Sequence, residues 1–110
     1  MNKYGAKKIL DKTHGKFDSK SEFERFKTLT LLQRCGDIAE LRRQVVYVLA
    51  DSIKLNGRKK PALRYVADFV YKQAGADVVE DVKGFVPSAF RVKQHLMKSV
   101  HGIDVIVVKS

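Results

Sequence analysis

Three charged residues in the middle of the chain have the types and spacing of a divalent-metal site. Asp68 interrupts the apolar run V-A-D-F-V, and Asp81 and Lys83 stand two residues apart in V-E-D-V-K-G. Side chains of a β-strand alternate between its faces, so Asp81 and Lys83 share one face and Glu80 takes the other. Hairpin pairing of the two segments brings Asp68 beside Asp81, which places two carboxylates next to a cation.

Hydrolysis of a phosphodiester is the reaction that suits these side chains. Mg²⁺ is bound by a few carboxylates and keeps positions for water and substrate, with Mn²⁺ as an alternative cation. Asp68 and Asp81 are the candidate ligands, and Lys83 could orient the attacking water or stabilise developing charge. Glu22 could bind a water of the metal ion or a second ion, while Glu80 is an alternative ligand to Asp81.

The segments around these residues have the composition of a β-hairpin. Residues 64–71 and 77–85 are rich in Val, Tyr and Phe, which favour strands, and residues 72–76 include a Gly suited to a short turn. Before the hairpin, residues 41–49 predict a strand that is buried on both faces towards its end. Gln44 enters that strand either as a polar residue of its rim, which is the favoured interpretation, or as a site residue, and residues 56–61 form a basic turn.

Two helices flank the predicted strands. Ser19 fits the N-cap of the first helix, and Glu22 stands three residues later, as in a capping box. Glu22 therefore has two interpretations, a cap and a site residue, which do not exclude each other. Apolar residues at helical spacing continue to Cys35, the single cysteine, which we expect to be buried, and Gly36 follows as the C-cap.

The second helix is predicted from Pro87 to His101, with Gly102 as its C-cap. Its buried stripe is marked by Ala89, Leu96, Met97 and Val100. Lys93 falls within that stripe, either as a lysine with a buried stem or as a cation directed at the metal site. Residues 103–108 then form a last strand, so the order is helix, three strands, helix, strand. This order predicts an α/β fold with a mixed sheet, its third and fourth strands parallel, flanked by helices.

The net charge favours a polyanionic partner. The 110 residues carry 22 Lys and Arg against 12 Asp and Glu, a net charge of +10, which makes nucleic acid the first candidate and an anionic membrane surface the second. We expect residues 1–17 to form a basic arm and residues 18–110 to form one domain. The residues expected to contact nucleic acid are Lys3, Lys7, Lys8, Arg58, Lys59, Lys60 and Lys93. With no membrane-spanning run and no signal peptide, the chain is expected in the cytoplasm.

The motifs together resemble the PD-(D/E)XK nuclease superfamily. The resemblance rests on a helix acid, Glu22, a strand acid, Asp68, and an acid-x-Lys strand with Asp81 and Lys83. The segments N-K-Y-G-A-K-K, F-D-S-K-S-E-F-E-R-F, Y-V-A-D-F-V-Y and V-V-E-D-V-K-G-F look like those of small phage and prophage nuclease-like proteins. Ala67 stands where the superfamily motif has Pro, and Asp81 stands where Glu is common.

The resemblance implies a restriction-endonuclease-like αβββαβ core and Mg²⁺-dependent cleavage of DNA. Glu22, Asp68, Asp81 and Lys83 then occupy the catalytic positions, in a bacterial host cytoplasm if the protein is encoded by a phage. We expect an endonuclease selective for branched or junction DNA, acting as a homodimer. The alternatives are a phage accessory protein that keeps the fold and binds nucleic acid without turnover, and a basic protein that binds RNA or an assembly.

Overall fold

Eight strands and two helices make up residues 9–11 and 15–110, the part of the chain that the computed structural model describes. In chain order they are β1 (Ile9–Asp11), β2 (Gly15–Phe17), α1 (Lys20–Arg34), β3 (Ala39–Ala50), β4 (Ile53–Leu55), β5 (Arg58–Lys60), β6 (Leu63–Gln73), β7 (Ala76–Lys83), α2 (Ser88–His101) and β8 (Val105–Lys109). No helix within these residues is long and apolar enough to span a membrane.

The central sheet has four strands in the order β3-β6-β7-β8. β6 pairs with β3 and with β7 in antiparallel fashion, whereas β7 and β8 are parallel and are joined through α2. The predicted mixed sheet with two helices is therefore confirmed. Two further pairs, β1 with β2 and β4 with β5, form separate two-stranded ribbons that the sequence did not predict, because strands of three residues are too short to show alternation.

A hydrophobic cluster lies on each face of the sheet. The α1-side cluster consists of Phe17, Phe26, Leu29, Ile38, Phe69 and Tyr71. The α2-side cluster consists of Leu49, Tyr65, Ala67, Val70, Val79, Phe90, Met97 and Val105. The two helices thus cover opposite faces, and β6 contributes to both clusters.

The side chains of β3 and β6 exchange faces part-way along the two strands. In β6, residues 65 and 67 belong to the α2-side cluster, whereas residues 69 and 71 belong to the α1-side cluster. In β3, residues 45, 47 and 49 pack with the α2-side cluster and residue 41 with the other. Regular alternation would keep all of these on one face. The exchange falls at Gln44 and Asp68, between the pairs Val45–Ala67 and Arg43–Phe69, and Gln44 has a left-handed φ of 53°.

The predicted helix ends agree with the structure to within one residue, since the C-cap of α1 is Cys35 where Gly36 was predicted, and α2 begins at Ser88 where Pro87 was predicted. The Ser19 side chain caps α1 by accepting a hydrogen bond from the backbone N–H of Glu22 at 3.1 Å. α2 begins after Pro87 and ends at Gly102, whose φ of 70° is the left-handed conformation that glycine adopts most readily.

Three predictions of burial were wrong. Cys35 is exposed, because it is the C-cap residue beyond the last turn of α1. Val46 and Val48 are 53% and 44% exposed, because α1 packs on the other half of the sheet and leaves their face of β3 uncovered. In α2, Phe90 and Met97 are buried, while Ala89 and Val100 are exposed. The buried face of α2 thus includes the large Phe90 ring, which packs against Tyr65.

Candidate active site

Asp68 and Asp81 meet where β6 and β7 stop pairing. The ladder between the two strands ends at Phe69 opposite Glu80, whereas β7 is paired with β8 on its other edge from Val79 to Lys83. Asp68 bridges the opening, because its Oδ2 accepts a hydrogen bond from the backbone N–H of Val82 at 2.9 Å. Its carboxyl group also lies close enough to that of Asp81 to raise the pKa of Asp81. The structure thus brings together the two carboxylates that the sequence predicted as ligands.

Asp81 is only 2% exposed and has three polar neighbours. Its Oδ2 accepts a hydrogen bond from the Tyr65 hydroxyl, and its Oδ1 lies 3.8 Å from the Lys83 Nζ. Burial, together with the hydrogen bond and charge of Asp68, raises the pKa of Asp81 to about 8, against the opposing effects of Tyr65 and Lys83. At neutral pH Asp81 therefore tends to retain its proton, and a bound cation would relieve the repulsion by Asp68.

Lys83 lies beside the carboxylate pair, on the face of β7 that alternation predicts. Its side chain is 30% exposed, and its Nζ lies 4.8 Å from the centroid of the Phe90 ring. This cation–π contact holds the ammonium group at the rim of the α2-side cluster, with solvent on its open side. Lys83 can therefore face both Asp81 and an incoming anion.

Glu22 approaches the pair from the first turn of α1. It is 3% exposed, and its Oε2 accepts hydrogen bonds from the Arg43 Nη2 at 3.4 Å and from the Gln44 Nε2 at 3.3 Å. Burial first, and then the charges of Asp68 and Asp18, raise the pKa of Glu22 to about 7, while Arg43 acts in the opposite direction. Its backbone thus belongs to the helix cap and its carboxylate to the site, as the two compatible interpretations allow.

Gln44 connects the helix acid to the strand acid. Its Nε2 donates to the Glu22 Oε2 and, at 3.4 Å, to the Asp68 Oδ1. Sequence reasoning favoured a rim position for Gln44 over a place in the site, and it predicted neither the link from Glu22 to Asp68 nor the contact between Tyr65 and Asp81. The available signal was a single amide entering an otherwise apolar segment. Left-handed backbone at a non-glycine residue costs free energy and often marks functional sites, which agrees with the position of Gln44.

One comparison with known proteins identifies the family of the chain. The profile of a family described as "Protein of unknown function (DUF1064)" matches residues 1–106. The chain belongs to the DUF1064 family. No curated protein and no solved structure matches the chain. The chemistry of this DUF1064 protein is therefore inferred from its own side chains.

Glu80 lies on the opposite face of β7 from Asp81. Its two carboxylate oxygens accept hydrogen bonds from the Nε and Nη2 of Arg25 at 2.9 and 2.7 Å, and one also accepts from the Tyr71 hydroxyl. Burial and this hydrogen bond raise the pKa of Tyr71 to about 12. The ion pair fastens α1 to β7 one turn from Glu22, so in this DUF1064 structure Glu80 serves helix docking on the face away from the Asp68–Asp81 pair.

Four of the seven predicted nucleic-acid contacts belong to the described residues, and they fall in two places. Arg58, Lys59 and Lys60 form β5 and are exposed. Lys93 is exposed on α2 and is not part of its buried face. The remaining three, Lys3, Lys7 and Lys8, lie outside the described residues.

The donor set fits Mg²⁺ with two protein ligands. Within residues 9–11 and 15–110, no group of three or more His, Cys, Asp or Glu is arranged to hold a metal ion. Mg²⁺ commonly takes one or two carboxylates and completes its octahedron with water and substrate oxygens, and the Asp68–Asp81 pair can provide those carboxylates. Glu22 is linked to Asp68 through Gln44, so it would act on the ion indirectly and would not itself be a ligand.

Proposed function

We propose that this DUF1064 protein is a Mg²⁺-dependent DNA endonuclease with a restriction-endonuclease-like core. The observation that carries the proposal is the placement of two carboxylates where β6 and β7 stop pairing: Asp68, which accepts from the backbone N–H of Val82, and the buried Asp81, whose Oδ1 lies 3.8 Å from the Lys83 Nζ. The order α1, β3, β6, β7, α2, β8 agrees with the αβββαβ arrangement of the PD-(D/E)XK superfamily, which supports the same conclusion.

The side chains divide the work of phosphodiester hydrolysis, which adds water across a P–O bond. Asp68 and Asp81 would hold Mg²⁺, which supplies positive charge against the transition state of the phosphate. The Lys83 ammonium group adds a second positive charge on the same side and can donate a hydrogen bond to a phosphate oxygen. Glu22 can accept a hydrogen bond from a water molecule, and Gln44 keeps its carboxylate turned towards Asp68.

DNA is the polyanion that fits both the charge and the site. The net charge of +10 and the exposed cations of β5 favour a phosphate backbone as the partner. Contacts of cations with phosphates carry no sequence information, which favours selection by DNA structure, and branched or junction DNA is the proposed substrate. Cutting two strands requires two sites, so a homodimer stays a prediction that sedimentation with and without DNA would test.

Cleavage of supercoiled plasmid tests the proposal. The wild-type protein should nick the plasmid with Mg²⁺ or Mn²⁺ and not with EDTA, and Asp68→Asn should abolish nicking. Asp77→Asn is a matched control, because Asp77 is an exposed acid of β7 that pairs with Lys72 away from the site. A panel of duplex, single-stranded, flap and four-way-junction DNA would then define the substrate. No cleavage of any substrate with either metal would refute the proposal.

One observation favours a second candidate, a protein that binds nucleic acid without turnover. Asp81 is buried and already contacts Tyr65 and Lys83, as a purely structural carboxylate would. A protein of this kind would bind DNA in EDTA with unchanged affinity on addition of Mg²⁺, and would cut none of the substrates. The nicking assay therefore separates the two candidates.

A further inference from the structure

The ribbon formed by β4 and β5 lies outside both hydrophobic clusters. Its six strand residues are all exposed, and Ile53 and Leu55 are 55% and 51% exposed. Asn56 and Gly57 connect the strands with φ values of 52° and 78°, as in the two-residue turns that give tight hairpins. The ribbon continues the β3–β6 hairpin beyond the pair Ala50–Leu63, and within the described residues neither a third strand nor a hydrophobic cluster covers it. Exposed apolar residues on it therefore indicate a surface that is completed by a partner.

The charge on this ribbon is of one sign. Residues 52–64 contain no Asp or Glu and carry five cations, Lys54, Arg58, Lys59, Lys60 and Arg64. The register places Lys54 directly opposite Lys59, and like charges at such cross-strand positions destabilise a hairpin. An anionic partner would remove that repulsion, whereas an acidic side chain that could do so is absent from the ribbon itself.

The two faces of the ribbon differ in chemistry. Ile53 pairs with Lys60 and Leu55 pairs with Arg58, so one face presents two apolar side chains beside two cations. The other face presents Lys54 and Lys59. Proteins that bend DNA combine the same two elements, cations on the phosphates and an apolar wedge of Leu or Ile between unstacked bases.

We propose that the β4–β5 ribbon docks on branched DNA, with its cations on the phosphates and with Ile53 and Leu55 against bases exposed at the branch. The inference deepens the proposed function, on which it rests, by assigning the selection of substrate to this ribbon. Branched DNA is favoured because its bases are already partly unstacked at the branch point, which lowers the cost of inserting the apolar pair.

The length of chain between the ribbon and Asp68 limits how far apart the two can act. Arg58, at the far end of β5, precedes Asp68 by ten residues, which at a strand rise of ~3.4 Å per residue is a separation of at most about 34 Å. Duplex DNA spaces the phosphates of one strand by about 3.4 Å along its axis, so the ribbon reaches up to about ten base pairs from the scissile phosphate. The proposal therefore places the branch point within that distance of the cut.

Two double variants separate the apolar and the cationic contributions. Ile53→Ser with Leu55→Ser removes the wedge, and Lys54→Gln with Lys59→Gln removes charge. Val92→Ser with Val100→Ser is the matched control, since these α2 residues are 59% and 51% exposed. Affinity for a four-way junction and for a duplex of the same sequence is measured in EDTA at several salt concentrations, so that binding is independent of cleavage. Circular dichroism checks that each variant is folded.

In the wedge variant, the ratio of junction affinity to duplex affinity should fall by about tenfold. Its salt dependence should stay the same, because its cations still release the same number of ions from the DNA phosphates. The charge variant should bind both DNAs more weakly, and its slope of log affinity against log salt should be smaller by about 2, since each phosphate that a cation neutralises contributes about 0.9. With 2-aminopurine at the branch, fluorescence should rise when the wild-type protein saturates the junction, and should not rise with the wedge variant.

Two outcomes would overturn the inference. Ribbon variants that bind like the control pair would exclude the ribbon as the docking element. A wild-type protein that binds vesicles of anionic phospholipid and no DNA would assign the ribbon to a membrane surface. Failure of the endonuclease proposal is a different result from these two outcomes. A protein that binds DNA through the ribbon but cuts no substrate would contradict the endonuclease proposal and leave the ribbon inference intact.

Discussion

Replacing Glu22 with glutamine should make the metal-free protein more stable at alkaline pH and less active. Glu22 is buried, and its pKa is raised from 4.5 to about 7, chiefly by burial and then by the charge of Asp68. Because the pKa is higher in the folded state, the unfolded chain ionises more readily. Glu22 therefore lowers stability as the pH rises from about 4.5 through about 7, and its full cost is present above pH 7.

The size of the effect follows from the two pKa values. A shift of 2.5 units, from 4.5 to about 7, corresponds to about 3 kcal/mol of unfavourable ionisation at pH 8.5. At pH 5 the same relation leaves less than about 1 kcal/mol, because the folded state keeps its proton. Glu22→Gln mimics the protonated carboxyl group, so it should increase the free energy of unfolding by these amounts at the two pH values.

Urea unfolding of both proteins at pH 5 and pH 8.5 in EDTA measures the difference. Glu24→Gln is the matched control, because Glu24 is an exposed acid of the same helix that pairs with Lys27, and it should change stability little at either pH. A Glu22→Gln protein that is less stable than wild type at pH 8.5 would refute the reasoning, since the ion pair with Arg43 would then outweigh burial and Asp68. Cleavage by the stabilised variant should fall if its carboxylate serves the proposed site.

Three more variants test the contacts of the site. Lys83→Met should fold and bind DNA, while single-turnover cleavage at saturating Mg²⁺ falls by about 10²–10⁴-fold; a folded variant that cleaves like wild type would remove Lys83 from the mechanism. Gln44→Leu removes the amide that joins Glu22 to Asp68, so the Mg²⁺ concentration for half-maximal cleavage should rise by about tenfold or more, and an unchanged metal titration would make Gln44 incidental. Glu80→Gln leaves the Arg25 guanidinium without its charged partner and should lower the free energy of unfolding, measured by urea titration, by about 3 kcal/mol. Equal stability of the variant and the wild type would contradict the role of Glu80 in holding α1 on β7.

Local rules were sufficient for the residues that lie in regular structure. Asp81 and Lys83 share a face because β7 keeps its alternation, and Glu80 takes the other face for the same reason. The turn between β6 and β7 sets a register that carries Asp68 to Asp81, so the pair could be predicted before any coordinates. The helix caps at Ser19 and Gly102 are also local, since each depends on a few neighbouring residues.

Contacts between distant segments could not be predicted in this way. Arg25 and Glu80 are 55 residues apart, and nothing in either neighbourhood specifies the other. Sequence reasoning expected β3 to be buried on both faces, because an apolar run shows that a strand can be covered and does not show where a helix will lie. The packing of α1 on the half of the sheet that contains Phe69 and Tyr71 decided that Val46 and Val48 are exposed.

The sequence by itself determined the strand acids, the lysine beside them, the capped helices and the excess of positive charge. Only the tertiary structure decided how Gln44 joins Glu22 to the strand acid Asp68, because the exchange of faces at Gln44 and Asp68 breaks the alternation on which sequence reasoning depends. The exchange involves the left-handed backbone of Gln44 and a partner strand whose Asp68 lies 24 residues further along the chain. It sets the Gln44 amide between Glu22 and Asp68, and burial by both helices then gives the carboxyl groups of Glu22 and Asp81 their raised pKa values.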